Sequence, residues 1–411
     1  MSMKRLSWTE VTLIVAVAAV VVLRIAAALG RHDDSSPFQL AGARPAIYAS
    51  RYPSIQAAID ALPADGGAVY LPPGTFQINE PLRVTASDVL IEGAGAATHI
   101  KNVNTEGKSA MIVQHGSGAK NRKAELWRIR LANFRITGNE KSGHGIEAGR
   151  VNEIFIDGVT VSYHGGDGIR LHYCYEDPRI CDSLITYNKK TGLNLVACHD
   201  IVVSSNQFEE NQDALRCTDG FNLCMTGNNL DDHLGDGVVI ENTYGSVVSG
   251  NMIEECNGTA IVLDRDCYGV TLSANVLAHN VAGGIDLRDA HGCSVSANTF
   301  TIMKKNALLI GPNSGRITVT GNNFCDSYIG QGAVKRAADD RAAAGMVLRG
   351  TSEIAAVGNL FSGVRPKALA AEGEPSRCIL FCDNVLVDSP SDDEKLETSS
   401  VENNLPLGSR D

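Results

Sequence analysis

Asp213 and Asp236 occupy the same place in a repeating string, each two residues before an apolar anchor. The full column at that position reads His144, Asp167, Thr191, Asp213, Asp236, Thr259, Gly283 and Asn306. If successive repeats stack as strands, the Cα atoms of Asp213 and Asp236 fall about 5 Å apart. Carboxylates that close oppose each other's ionisation, which suits one to act as acid and the other as base. A second column, one step after the anchor, carries Glu147, Arg170, Asn194, Arg216, Val239, Val262 and Asp286. A third, three steps after it, carries His172, Val196, Thr218, Glu241, Asp264 and Arg288. An arginine beside these aspartates can neutralise a carboxylate on a sugar or serve as the base of an elimination. His233, in the string DDHLGDG, stands at a turn edge and could move a proton near neutral pH. The candidate catalytic set is therefore Asp167, Asp213, Asp236, Arg216 and His233. The candidate substrate-binding set is Arg170, His172, Glu241, Asp264 and Arg288. Tyr163–His164 and His172–Tyr173 flank Asp167. The competing reading is architectural: Asp before Gly makes an Asx turn, and charges on an exposed strand are simply solvated.

What positions these residues is a repeat of roughly 23 residues. The anchors Ile146, Ile169, Leu193, Leu215, Val238, Ile261, Ile285 and Leu308 are spaced 23, 24, 22, 23, 23, 24 and 23 apart. Two residues later comes a second apolar series, Leu171, Leu195, Cys217, Ile240, Leu263, Leu287 and Ile310. Alternation with period two marks a strand with one buried face. An independent register is formed by Asn206, Asn228, Asn251, Asn275, Asn298 and Asn322. Those asparagines predict a ladder of stacked amides at a turn. Short strands cannot bury an apolar face alone, so stacking coils about 4.8 Å apart must complete parallel sheets around one core. The fold class is all-β, a right-handed parallel β-helix solenoid of about 10–12 coils. Leucine-rich repeats share the period but need a different leucine pattern. After Asn322 both registers slip by the same amount, which predicts one insertion over Tyr328–Ala344.

The chain of 411 residues has a net charge of −11, with 41 glycines and 5% aromatic residues. Such acidity disfavours nucleic acid as a partner. It would also repel a polyanionic sugar chain unless the local surface is basic or holds a cation, so Ca²⁺ is a possible cofactor. Residues 11–29 are strongly apolar apart from Arg24, which follows an uncharged run of 13 residues (Val11–Leu23), with Lys4 and Arg5 before it. Residues 1–30 read as a signal peptide or a membrane anchor, and either places the rest outside the cytoplasm. Residues 31–50 read as a linker, 51–388 as the solenoid, and 389–411 as a disordered acidic tail. The eleven cysteines show no zinc spacing. Cys174 with Cys181, or Cys378 with Cys382, could form disulfides in an oxidising compartment. No GxSxG or P-loop string is present.

Pro53–Leu62 reads PSIQAAIDAL, an amphipathic helix fit to cap the solenoid, followed by GGAVYLPPGTFQI. This opening resembles the N-terminal segment of the pectate-lyase-like β-helix superfamily, and the coils extend the resemblance to about Leu386. The strings SGHGI, GGDGI and LGDGV are similar to the motifs of family-28 polygalacturonases, with His144 first in order and no RIK motif. The resemblance implies a polysaccharide partner and an enzyme that acts on acidic polysaccharide, as lyase, glycoside hydrolase or epimerase. The alternative is a non-catalytic carbohydrate-binding or scaffold protein of exopolysaccharide assembly. Aromatic platforms usually mark sugar binding, and only Trp8 and Trp127 are tryptophans.

Overall fold

The computed structural model describes residues 40–118, 124–326, 341–392 and 394–408. Residues 11–29 and most of the expected insertion lie outside the described residues. Among the described residues no helix is long and apolar enough to cross a membrane.

The chain is a parallel β-solenoid with three sheets, of 18, 12 and 14 strands. The expected anchors are the registers of the twelve-stranded sheet: Ile146 pairs with Ile169, Ile169 with Leu193, Leu193 with Leu215 and Leu215 with Val238. The pairing continues through Ile261, Ile285 and Leu308. Leu308 then pairs directly with Met346, across the register slip. Alternation does the sorting. In Ile169–His172 the first and third residues are buried and the second and fourth are partly exposed.

Each coil turns three corners, and left-handed residues mark them. Tyr163, Tyr187 and Glu210 take φ of 62°, 57° and 47° at one corner. Asp182 and Ser205 do so at the second, and Tyr173, Ala197 and Asp219 at the third. A left-handed residue turns the chain from one sheet into the next in a single step, a conformation that Asp182 and Asp219 adopt at low cost.

One continuous apolar core runs from Ile47 to Leu386. Phe300, Phe324 and Phe361 stack along it with centroids 4.6 and 4.5 Å apart. The expected asparagine ladder is present and longer than the repeat foretold. The Nδ2 of Asn206 donates to Asn228 Oδ1, and the chain of amides continues through Asn251, Asn275, Asn298, Asn322, Asn359 and Asn384 to Asn404.

Four expectations change. The solenoid has about fourteen turns, more than the 10–12 foreseen, because the first and last coils lack the Gly–Ile string. The linker over 31–50 already contains a strand, Ala46–Tyr48, paired with Gly67–Tyr70. The tail over 389–411 is not disordered over its described part: Ser400–Glu402 and Leu405–Leu407 pair with the coil before them. Asn404 supplies the amide that closes the ladder there, so even a polar segment gains enough backbone bonding to order. The described cysteines are all free. Cys378 and Cys382 lie four positions apart on the extended strand Ser376–Cys382, about 13 Å, beyond disulfide reach. Cys174 is buried against Ala148 O, while Cys181 faces Asp157. The helix spans Ile55–Asp60, inside the expected Pro53–Leu62. Ser54 accepts the Ala57 N–H as its N-cap, and Ile55, Ala58 and Ile59 are buried.

Candidate functional site

The outer face of the twelve-stranded sheet gathers most of the candidate residues. Glu147, Arg170, Asn194 and Arg216 are consecutive Cα partners along it. His172, Val196, Thr218, Glu241 and Asp264 form the parallel file two residues on. Side chains at these positions point away from the core because they alternate with buried anchors.

The column before the anchors lies at the sheet's entry corner, and it does two jobs at once. Asp213 Oδ1 accepts the Asp236 N–H at 2.9 Å, and Asp236 Oδ1 accepts the Thr259 N–H at 2.7 Å. Asp167 Oδ1 likewise accepts the Thr191 N–H at 3.2 Å. One oxygen of each carboxylate thus stitches its coil to the next, as an Asx turn would. The other oxygens differ. Asp167 Oδ2 accepts from Asn194 Nδ2 at 3.0 Å and lies 3.3 Å from His144 Nδ1. His144 Nδ1 also accepts the Asp167 N–H at 2.9 Å. Burial pushes the Asp167 carboxyl up, but the neighbouring His144 ring and the Asn194 bond outweigh it and hold it below its ordinary value. Asp213 Oδ2 accepts from Arg216 at 2.9 Å. Asp236 is the most open of the three aspartates, half-buried where Asp167 and Asp213 are buried.

The arginines divide the same way. Arg216 bridges Asp213 and, at 3.4 Å, Glu241. Its partial burial opposes the charge, yet Asp213 and Glu241 outweigh that and hold the guanidinium even more firmly protonated. Of the two roles the sequence allowed an arginine here, this setting suits neutralising a carboxylate better than serving as the base of an elimination. Arg288 pairs with Asp286 at 2.8 Å and lies 3.7 Å from Asp264. Arg170, half-buried, makes no ion pair among the described residues. The His172 imidazole is held below its ordinary pKa, first by burial and then by Arg170 and Arg150.

His233 is not at the turn's outer edge. It is fully buried, and its Nδ1 accepts the Asn211 N–H at 3.2 Å. It belongs to a second interior column with His164, Asn188 and Asn211, spaced one coil apart. Burial depresses both histidines to about 4. A ring with no exposed atom cannot meet a polymer, so His233 leaves the catalytic set. The string misled because the residue two before Gly235 points inward, while the one after it points to the face.

Aromatic rings were underestimated by counting tryptophans. Tyr175, His199, Phe221 and Tyr244 form an unbroken file at the far corner, with centroids 4.4, 4.4 and 4.2 Å apart. Tyr268 continues the file's register on the next coil. The signal was an aromatic residue recurring near the repeat period, legible once the corner is located.

Comparison with known proteins fits this architecture. A family model described as "right handed beta helix region" matches residues 87–243, and one described as "periplasmic copper-binding protein (NosD)" matches residues 194–368. No curated protein is similar to the sequence. Among solved structures, the A-module of the Azotobacter vinelandii mannuronan C-5 epimerase AlgE6 is 16% identical, with a TM-score of 0.55 over 88% of this chain and 99% of that one. A point mutant of the periplasmic alginate epimerase AlgG is 11% identical, with a TM-score of 0.52 over 89% and 84%. Tailspike protein 3 of bacteriophage CBA120 is 11% identical, with a TM-score of 0.55 over 87% and 61%. Copper favours imidazole and thiolate donors. Among the described residues, the donor groups close enough to share an ion are Asp157–Cys181–Asp182 and Asp231–Asp232–Glu255. Neither contains a histidine and only one a thiol, so they do not fit copper. Both also lie off the twelve-stranded face, where a calcium ion would be needed to hold an acidic sugar.

Proposed function

Since the chain folds as a right-handed parallel β-helix, we propose that it is an extracytoplasmic, polysaccharide-active enzyme working on the face of its twelve-stranded sheet. The observation that carries this reading is the company Arg170 keeps. A guanidinium with no ion pair among the described residues stands on the same face as Asp167, Asp213 and Asp236. An acidic protein needs such a local cation to hold an acidic sugar, since its overall charge of −11 repels one.

The chemistry that suits this set is removal of the proton beside a uronate carboxylate. Arg170 and the fixed charge of Arg216 neutralise the uronate and stabilise the charge that develops on it. Asp236, the most open carboxylate, is placed to exchange protons with the sugar. Loss of the leaving sugar then gives elimination, and return of a proton to the opposite face gives epimerisation. Both outcomes share their first step, which is why the face favours them over hydrolysis. The epimerases among the similar folds are named for mannuronan and for alginate, and alginate is therefore the first polymer to try.

A second reading draws on a specific observation. One oxygen of each aspartate is committed to the backbone of the next coil, as in a carbohydrate-binding scaffold whose carboxylates are architecture. One experiment separates the two. The full chain is incubated with alginate and with polygalacturonate, and the products are followed by the absorbance of unsaturated uronate and by proton NMR for C5 inversion. New unsaturated ends or inverted residues support the enzyme. Binding with neither product supports the scaffold.

A further inference from the structure

A groove of about 490 Å³ opens at the corner where the chain enters the twelve-stranded sheet. It lies beside the carboxylate column and contains none of the candidate catalytic or substrate-binding residues. Its lining includes Tyr163, Tyr187 and Leu234, with Glu140, Lys189 and Glu210 at the polar rim. Tyr163 and Tyr187 sit on consecutive coils, their rings parallel within 5° and 5.0 Å apart. Tyr163 and Leu234 are each 54% exposed. Stacking accounts for the tyrosine pair, but it does not account for an exposed leucine at the end of the same groove.

We propose that this groove binds a run of uncharged pyranose units belonging to the polysaccharide handled at the adjoining face. The inference rests on the function proposed above and names the part of the substrate that the face does not. Three observations carry it. The lining combines apolar surface with hydrogen-bonding groups, as a sugar ring carries both C–H patches and hydroxyls. The groove runs along the solenoid axis from the coil of Gly138, through those of Tyr163, Tyr187 and Glu210, to that of Leu234. Four coil steps span about 19 Å, close to four pyranoses end to end. The third observation is charge. The lysine of the lining, Lys189, is paired with Glu140 at 2.8 Å, and Glu210 adds a further negative charge. Among the described residues, the lining leaves no free cation for a uronate. Arg170 on the face has the opposite character, so the two neighbouring surfaces select an acidic unit and uncharged units of one heteropolymer.

The test is binding of the full chain to an array of defined tetrasaccharides, uncharged and uronate-containing, with affinities of the hits measured by calorimetry. Tyr187→Ala and Leu234→Ser are made separately, because both side chains are at the surface and each checks the other against misfolding. The expected result is binding of uncharged tetrasaccharides by wild type, weakened roughly tenfold or more in each variant. An Asp213→Asn, Asp236→Asn double variant should keep that binding. Uncharged tetrasaccharides that do not bind, or that bind both groove variants as tightly as wild type, would overturn the groove. The function proposed for the face fails separately, when uronate polymers are neither bound nor converted while the groove still takes uncharged sugars.

Discussion

The backbone N–H of Asp236 donates to the Oδ1 of Asp213 at 2.9 Å, so each coil is tied to the next through a carboxylate that also borders the open face. Architecture and chemistry share one side chain, and the right substitution separates them. Asparagine keeps the Oδ1 acceptor and removes the charge. Asp213→Asn should therefore cost less than Asp213→Ala, since it keeps the coil tie and leaves the partly exposed Arg216 its second carboxylate, Glu241. Asp213→Ala removes the acceptor as well and should cost roughly 1–3 kcal/mol more, read from urea midpoints. In the alginate and polygalacturonate assays, the Asp213→Asn, Asp236→Asn double variant should lose about 10²-fold or more of its turnover. Full activity in that variant would remove the aspartates from the chemistry and leave them as coil ties.

Arg170 should behave as a substrate clamp. Its guanidinium has no ion pair to keep among the described residues, so Arg170→Ala should leave the melting temperature near that of wild type. The KM for a uronate polymer should rise about tenfold, and the dependence of KM on salt should flatten, because a charge that meets substrate has been removed. Arg170→Lys should recover only part of the loss, since lysine lacks the planar fork that matches a carboxylate. An unchanged salt dependence in Arg170→Ala would show that the polymer does not cross this position.

The sequence made the layers legible and left the direction of certain side chains hidden. Anchor spacing located every coil from Ile146 to Met346, because a buried strand cannot tolerate a break in alternation. It sorted Arg170, Glu241 and Asp264 onto one face for the same reason. It failed at corners, where a left-handed residue interrupts the alternation and parity no longer says which way a side chain points. His233 is the cost of that failure: three residues from Asp236 in sequence, it lies inside the wall and Asp236 outside. The Tyr163–Tyr187 groove escaped for a related reason. Its residues come from corners of five coils, and no local string marks them.

The asparagine ladder should carry stability in proportion to how deeply each rung is buried. Asn251 donates to Asn275 Oδ1 and Met225 O and accepts from the Asn228 N–H and Nδ2. Asn251→Ala strands these partners in the core and should cost about 3 kcal/mol or more. Asn404 closes the ladder at the last coil, half-buried, and accepts from Asn384. There water can replace the lost partners, so Asn404→Ala should cost about 1 kcal/mol or less. Equal costs at both sites, by urea unfolding, would mean that the ladder does not depend on exclusion of water.

His233 predicts a pH dependence of stability whose sign follows from its burial. Burial first, only partly opposed by the Asn211 backbone and the charges of Asp213 and Asp232, holds the folded-state ring near 4, against 6.5 when unfolded. Between those values the unfolded chain binds a proton that the folded chain refuses. Stability is therefore intact above pH 6.5, falls as pH drops toward 4, and loses nothing further to this group below that. The loss from the single histidine should be a few kcal/mol, roughly 1.4 per unit of pKa shift. His164, also near 4 and mainly through burial, adds a loss of the same sign over the same range. His233→Asn removes one titration and offers an amide oxygen where Nδ1 now accepts from the Asn211 N–H. That variant should match or exceed wild-type stability at pH 7 and lose less of it between about pH 6.5 and 4, by thermal unfolding across that range. A slope equal to that of wild type would show that His233 is as accessible to protons in the folded chain as in the unfolded one.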